Sequence, residues 1–384
     1  MNVFNSLIDQ SEVVEILKEA VKSAKKLNES SQVMTNTWLF TGPPGSGRSN
    51  AAIAFAAALV CKEGGCSKCS DCMSTIIGTH ADVELIKTEG LSIKIDEIRE
   101  LITRASWAPS VASYRVVVIE DSDRLTESAA NALLKVIEEP GLRTIWLLCA
   151  PTLTDVLPTI RSRCRHLSLR TPSTKAVANL LIERESIDPK TAEFAARAAG
   201  GHIGRARRLA TDENAKQNRS SILKLPLTIK DVTSAYKAAQ FLVDAAKADA
   251  LKDSEKKDED EILKLKEAWG ATGSKMVSGG AKVVKELEKE QKSRATRMVR
   301  DYLDRALLDL STLYRDILLI QSNSTDSLIN QDLIEEIKQL AQMTRLEQTI
   351  KIMEATLKTQ HNLNLNGSPL LQLESFMCSI LLNK

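Results

Sequence analysis

The chain has 384 residues, enough for two or three domains, since single domains mostly run ~100–200 residues. Hydrophobic residues at 43% and charged residues at 27% are ordinary for globular protein, and a net charge of +2 excludes a basic surface spread over the whole molecule, though not a local basic patch. The longest apolar run, Ala51–Val60, falls far short of the ~20 residues that cross a bilayer, and the first residues lack a signal-peptide pattern, so a cytoplasmic protein with no membrane partner is expected.

From Gln10 to Lys26 the residues Val13, Val14, Ile16, Leu17, Ala20 and Val21 recur at helical spacing, and Leu27–Thr35 reads as a polar linker. Thr37–Thr41 reads as a strand and Ser49–Val60 as a buried helix. Between them, Gly42-Pro43-Pro44-Gly45-Ser46-Gly47-Arg48-Ser49 has the G-x-x-x-x-G-[KR]-[ST] spacing of a phosphate-binding loop. Arg48 stands where such loops keep lysine. A planar guanidinium is not a conservative exchange for a compact ammonium that reaches the β- and γ-phosphates.

Next comes a cluster of thiols. Cys66-x2-Cys69-x2-Cys72, with Cys61 five residues upstream, offers four soft ligands in one short loop, enough to close a tetrahedral structural zinc site. The bland alternative is a set of unlinked thiols. The remaining cysteines, Cys149, Cys164 and Cys378, lie in apolar surroundings and read as buried structural thiols.

Ala81–Lys87 reads as a strand, Ile93–Ala105 as an amphipathic helix, and Arg115–Glu120 as a continuous apolar strand suited to a parallel sheet covered on both faces. Glu120-Asp121 then falls where P-loop NTPases keep the acids that hold Mg²⁺ and orient water; the plain alternative is two solvated turn acids. Ser128–Glu138 reads as a helix stopped by Pro140, Arg143–Cys149 as a strand, and His166–Leu169 as a last strand. Arg161, Arg163 and Arg165 fit either an anion partner or solvated surface charge.

Thr171-Pro172 marks a boundary, after which Ser173–Ala210 reads as three short helices, with Gly200-Gly201-His202-Ile203-Gly204 before the third. Beyond Asn214 strand signals give way to amphipathic helices. These include a charged stretch, Lys252–Glu267, read as a solvated helix face or an insertion, and a long helix, Ala281–Ile320, joined as an antiparallel hairpin. Gln331–Thr344, Glu347–Lys358 and Pro369–Leu382 read as further helices.

The phosphate-loop motif, the cysteine cluster, Leu133-Leu134-Lys135-Val136-Ile137-Glu138-Glu139-Pro140 and Ser162-Arg163-Cys164, in that order, resemble the clamp-loader subunits of bacterial DNA polymerase III. The resemblance implies an α/β fold: an AAA+ P-loop domain with a parallel sheet and an inserted zinc module (residues 1–170, the module at 61–72). A small helical lid (171–211) and an all-α collar for oligomerisation (212–384), with a charged insertion at about 252–292, follow. The collar likeness includes Asn366 and Leu371-Gln372-Leu373-Glu374.

Within that family the departures separate the δ′ type from the ATP-hydrolysing γ/τ type. Arg48 replaces lysine, Glu120-Asp121 reverses the family's Asp-Glu order, and Gly204 occupies the position of the motor's sensor arginine, although a one-residue shift to Arg205 restores a sensor. The resemblance therefore implies a stator subunit that assembles with γ/τ and δ in a hetero-pentameric ring and loads the sliding clamp on primed DNA. Arg163 corresponds to an arginine finger acting in trans on the neighbouring ATP site. Gly42, Gly45, Ser46, Gly47, Arg48, Ser49, Glu120 and Asp121 form a degenerate nucleotide site, which leaves open whether ATP with Mg²⁺ binds without hydrolysis. Arg205, Arg207 and Arg208 read as either duplex-phosphate contacts or a solvated face. The competing readings are a self-sufficient γ/τ-type motor subunit and a zinc-dependent nucleic-acid adaptor.

Overall fold

A computed structural model describes residues 2–25, 34–88, 90–141, 143–268, 280–324, 328–365 and 367–384. The chain divides into two compact units, Met1–Ala210 and Thr211–Lys384. Asn366 and part of the charged insertion lie outside the described residues.

In the first unit, a 3-10 turn at Val3–Ser6 and α1 (Ser11–Lys25) precede β1 (Thr37–Thr41), α2 (Arg48–Val60), α3 (Ser70–Ile77), β2 (Val83–Ile86), α4 (Ile95–Ala105), β3 (Arg115–Ile119) and α5 (Glu127–Glu138). Then follow β4 (Thr144–Ala150), the short α6 (Pro158–Arg161), β5 (Arg165–Ser168), α7 (Thr174–Glu185), α8 (Pro189–Ala198) and α9 (Ile203–Thr211). All strand pairings in the sheet are parallel, in the order β2-β3-β4-β1-β5. The central strands β1, β3 and β4 are buried along their whole length, as their continuous apolar runs require, whereas the edge strands β2 and β5 are only partly buried.

Side-chain alternation splits the core into two layers. Trp38, Phe40, Val116, Val118, Ile145 and Leu147 pack with α1 and the alanine-rich α2, while Leu39, Val117, Ile119, Trp146 and Leu148 pack with α4 and α5. Small residues along α2 let it lie close on the sheet, which brings the loop before it to the C-terminal edge of β1. Caps set the helix ends: the hydroxyls of Thr126 and Ser173 and the Asp188 carboxylate accept backbone N–H groups at the starts of α5, α7 and α8.

The second unit contains α10 (Glu213–Thr228), α11 (Val232–Ala268), α12 (Gly280–Gln321), α13 (Ile334–Met343), α14 (Leu346–Asn364) and α15 (Pro369–Leu382). The charged stretch at 252–267 is thus helical, continuous with α11. Leu242, Leu303, Leu310, Ile317, Ile337 and Phe376 belong to one core shared by these helices. A buried polar chain crosses it: Arg219 Nε donates to Asp309 Oδ1 at 2.9 Å, Arg219 Nη2 donates to Asn330 Oδ1, and Asn330 Nδ2 donates to Asp316 Oδ2 at 2.8 Å.

Among the described residues no helix is long and apolar enough to cross a membrane.

Candidate functional site

The loop between β1 and α2 has the backbone of a phosphate cradle but spends or lacks several of its donors. Gly45 and Gly47 lie at φ 88° and 84°, the left-handed region that glycine tolerates. A Cβ at Gly42 would fall 2.8 Å from the Leu169 carbonyl oxygen, and one at Gly45 would meet His202 at 2.6 Å, so both glycines are required by close approach. Pro43 and Pro44 have no N–H to offer, and the Ser46 N–H donates to the Pro43 carbonyl at 3.0 Å. Arg48 Nη1 turns back into the loop and donates to the Gly42 carbonyl at 2.8 Å. Ser49, the second residue of α2, is half-buried beside it.

Glu120 and Asp121 follow β3, where the sequence pattern puts them. Sequence reasoning missed Asp123, two residues on, whose Oδ1 is buried. Burial, then the Asp121 charge, push the Asp123 carboxyl above its ordinary range, and the Arg48 charge offsets part of this. The buried Cys149 thiol is raised by burial and feels the charges of Arg48, Glu120, Asp121 and Asp123 together, so these four groups converge at one end of the sheet. Arg48 Nε, Asp123 Oδ1 and Ser46 Oγ are buried with no hydrogen-bond partner among the described residues.

Arg161, the last residue of α6, and Arg163 and Arg165 beyond it do not act as one cluster. Arg165 stacks on the buried Trp38 ring, 4.8 Å from its centroid. Arg163 is exposed; its Nη2 pairs with Glu138 Oε1 at 2.6 Å, and its Nη1 donates to the Thr159 carbonyl at 2.9 Å and to Ser162 Oγ at 3.2 Å. Beside it, the Cys164 thiol is pushed up to about 12 by burial and donates to the Ile160 carbonyl at 3.1 Å. In the helices after β5, Gly204 and Arg205 lie in the first turn of α9, with the Arg205 N–H donating to His202 Nδ1 at 3.3 Å. Arg207 pairs with Glu185, which removes it from any simple basic patch with Arg205 and Arg208.

Cys61, Cys66, Cys69 and Cys72 converge, their sulfur atoms all within 4.8 Å of one another. Cys61 Sγ lies 3.8 Å from Cys66 Sγ and 3.7 Å from Cys69 Sγ. A tetrahedron with Zn–S bonds of about 2.3 Å has edges of about 3.8 Å, so the donor set fits zinc in both softness and size. The backbone N–H groups of Cys66, Cys69 and Cys72 each donate to the preceding ligand sulfur, at 3.5, 3.4 and 3.4 Å, which favours thiolates. Burial disfavours the Cys61 thiolate, but N–H groups of Cys66, Gly65 and Glu63 outweigh it and hold this thiol down at about 6. Burial instead raises the Cys72 thiol. Helix α3, capped by the Cys69 sulfur, was not anticipated from the sequence; a run this short gives little periodicity.

The family described as "DNA polymerase III, delta subunit" matches residues 10–173, and the one described as "DNA polymerase III, delta subunit, C terminal" matches residues 299–374. The chain is 28% identical to the DNA polymerase III subunit δ′ of Bacillus subtilis over 341 residues, which cover 87% of this chain and 88% of that protein. It is 33% identical to the δ′ subunit of Pseudomonas aeruginosa over 147 residues, 37% of this chain and 45% of that protein. Likeness to the γ/τ subunit of Mycobacterium tuberculosis, at 32% identity, is confined to 178 residues, 44% of this chain and 31% of that protein. Delta-subunit matches at both ends, and a δ′ likeness that runs through most of the length, show that the chain belongs to the δ′ family of bacterial DNA polymerase III subunits.

Proposed function

We propose that this chain is the δ′ stator of a clamp loader: it does not turn over ATP itself, and it supplies Arg163 in trans to the ATP site of a neighbouring γ/τ subunit. In this reading it assembles with γ/τ and δ subunits in a cytoplasmic hetero-pentamer that loads a sliding clamp on primed DNA. Residues 1–170 serve as the nucleotide-type domain, 171–211 as its lid and 212–384 as the collar. The cysteine module holds one structural zinc through Cys61, Cys66, Cys69 and Cys72. Four thiolates leave no open position, so the metal would stabilise the module and supply no Lewis-acid chemistry.

The observation that carries the reading is the Arg48 guanidinium bonded to the Gly42 carbonyl of its own loop. A guanidinium turned back onto the carbonyl of its own loop is not aimed at a β- or γ-phosphate. Arg163, by contrast, keeps an exposed guanidinium, the group that stabilises charge spreading over the transferred phosphoryl oxygens. The isolated chain is expected to show no ATP turnover, and Arg163→Ala is expected to lower turnover at the neighbouring site by roughly 10³-fold, the lower end for such fingers. Steady-state ATPase of the reconstituted complex with primed DNA measures this. Turnover by the isolated chain that disappears in Ser49→Ala would favour a self-sufficient motor instead.

A further inference from the structure

We infer that Glu138 is the positioning residue for Arg163, which rests on the reading of Arg163 as a finger. The two side chains come from separate elements. Glu138 is the last residue of α5, a helix held to the sheet by the buried Leu133 and Ile137. Arg163 lies just past α6, a helix of only 4 residues. Their contact joins Nη2 to Oε1 at 2.6 Å.

The other contacts of the guanidinium, Thr159 O and Ser162 Oγ, belong to its own segment and move with it. Among these partners Glu138 is the one that belongs to a separate element, so it fixes the arginine against α5. A guanidinium carries five N–H donors in one rigid plane, so bonds to Nη1 and Nη2 together fix the plane and leave donors over for a phosphate oxygen. The pair is half-exposed, with side chains 41% and 47% accessible, and such pairs contribute little to stability. Its effect is geometric. Charge stabilisation in phosphoryl transfer is lost steeply when a group is misplaced by about 1 Å, and an arginine already oriented needs no reorganisation as the reaction proceeds.

The test uses the complex reconstituted from the full chain with the γ/τ and δ subunits of the same organism. It compares wild type, Glu138→Ala, Glu138→Gln, Arg163→Ala and the Glu138→Ala/Arg163→Ala double variant, with kcat and KM for ATP measured on primed DNA. The Arg163-dependent part of turnover is the difference between wild type and Arg163→Ala. Glu138→Ala is expected to lower that part on the order of tenfold in kcat, with KM for ATP changed by less than about twofold. Glu138→Gln, which keeps an acceptor oxygen, should restore most of it, and Glu138→Ala should add no further loss to Arg163→Ala. Thermal melting of the isolated variants should match wild type. Unchanged or faster turnover in Glu138→Ala, while Arg163→Ala is impaired, overturns the positioning role but leaves the finger in place. Unimpaired turnover in Arg163→Ala overturns the finger, and the role of Glu138 with it.

Discussion

Asp82 is fully buried, yet its carboxylate accepts the N–H groups of Ser110, Val111 and Ala112 and the Ser110 hydroxyl at 2.7 to 2.8 Å, with Arg115 3.6 Å away. Burial alone would raise this carboxyl; the donors outweigh burial and hold it at about 2, below its ordinary 3.8. A depressed carboxyl stabilises the fold fully above the unfolded value and loses that contribution as pH falls through the folded one, here between about 3.8 and 2. The contribution is about 2 kcal/mol, since one unit of difference corresponds to about 1.4 kcal/mol. Asp82→Asn is expected to cost about 3 kcal/mol at neutral pH, because an amide turned toward three N–H donors leaves Arg115 unpaired. It should also flatten the acid limb of the stability profile, measured by denaturant melts from pH 5 to pH 2. Nothing in the local sequence around Asp82 announced this role, because all its donors arrive from a loop about thirty residues later.

At the level of elements, the cysteine module shows how a short insertion is held in place. Gly65 lies at φ 101°, and a Cβ there would meet Val3 at 2.6 Å, so the N-terminal turn packs directly onto the four-cysteine loop. Val3 N–H donates to the Gly65 carbonyl at 3.0 Å, and Lys25 Nζ donates to the carbonyls of Cys61 and Lys62 at 2.7 and 2.6 Å. Cys61 and Cys72 are also buried in the core that α1 and α2 share with the sheet. One zinc per chain is expected by atomic absorption, and Cys69→Ser should release it. Chelation should lower the melting temperature by about 4 °C or more, equivalent to at least 1 kcal/mol in a domain of this size. An unchanged melting temperature after complete metal removal would contradict a structural zinc.

At the scale of the whole molecule, the two units are held by different physics. The first is a sheet sandwiched between apolar helices, while the second encloses the polar chain Arg219–Asn330–Asp316 among its leucines. Asn330 is fully buried and also donates its backbone N–H to Asp316 Oδ2 at 2.7 Å. Removing its amide leaves a buried guanidinium and a buried carboxylate each short of a partner, so Asn330→Ala is expected to destabilise residues 211–384 by about 3 kcal/mol. Hydrogen exchange should show protection lost in α10, α12 and α13 with the strands of the first unit unaffected. Equal loss in both units would mean that they unfold as one cooperative body.

The sequence by itself determined the parallel sheet, the phosphate-loop backbone, the grouping of four thiols and the helical second half. Each of these is written in short-range terms: continuous apolar runs, glycine and proline spacing, ligand spacing and helical period. It also exposed the substitution at Arg48, because a motif position is read locally. Tertiary structure alone decided what these residues do to one another. Arg48 bends onto Gly42, Arg165 leaves the arginine cluster to stack on Trp38, Arg163 meets Glu138 from a different helix, and Asp123 joins the acids. The partners in the Trp38–Arg165 pair are separated by more than a hundred residues. Such contacts follow from how crossover helices return strands to one sheet, which no local spacing encodes.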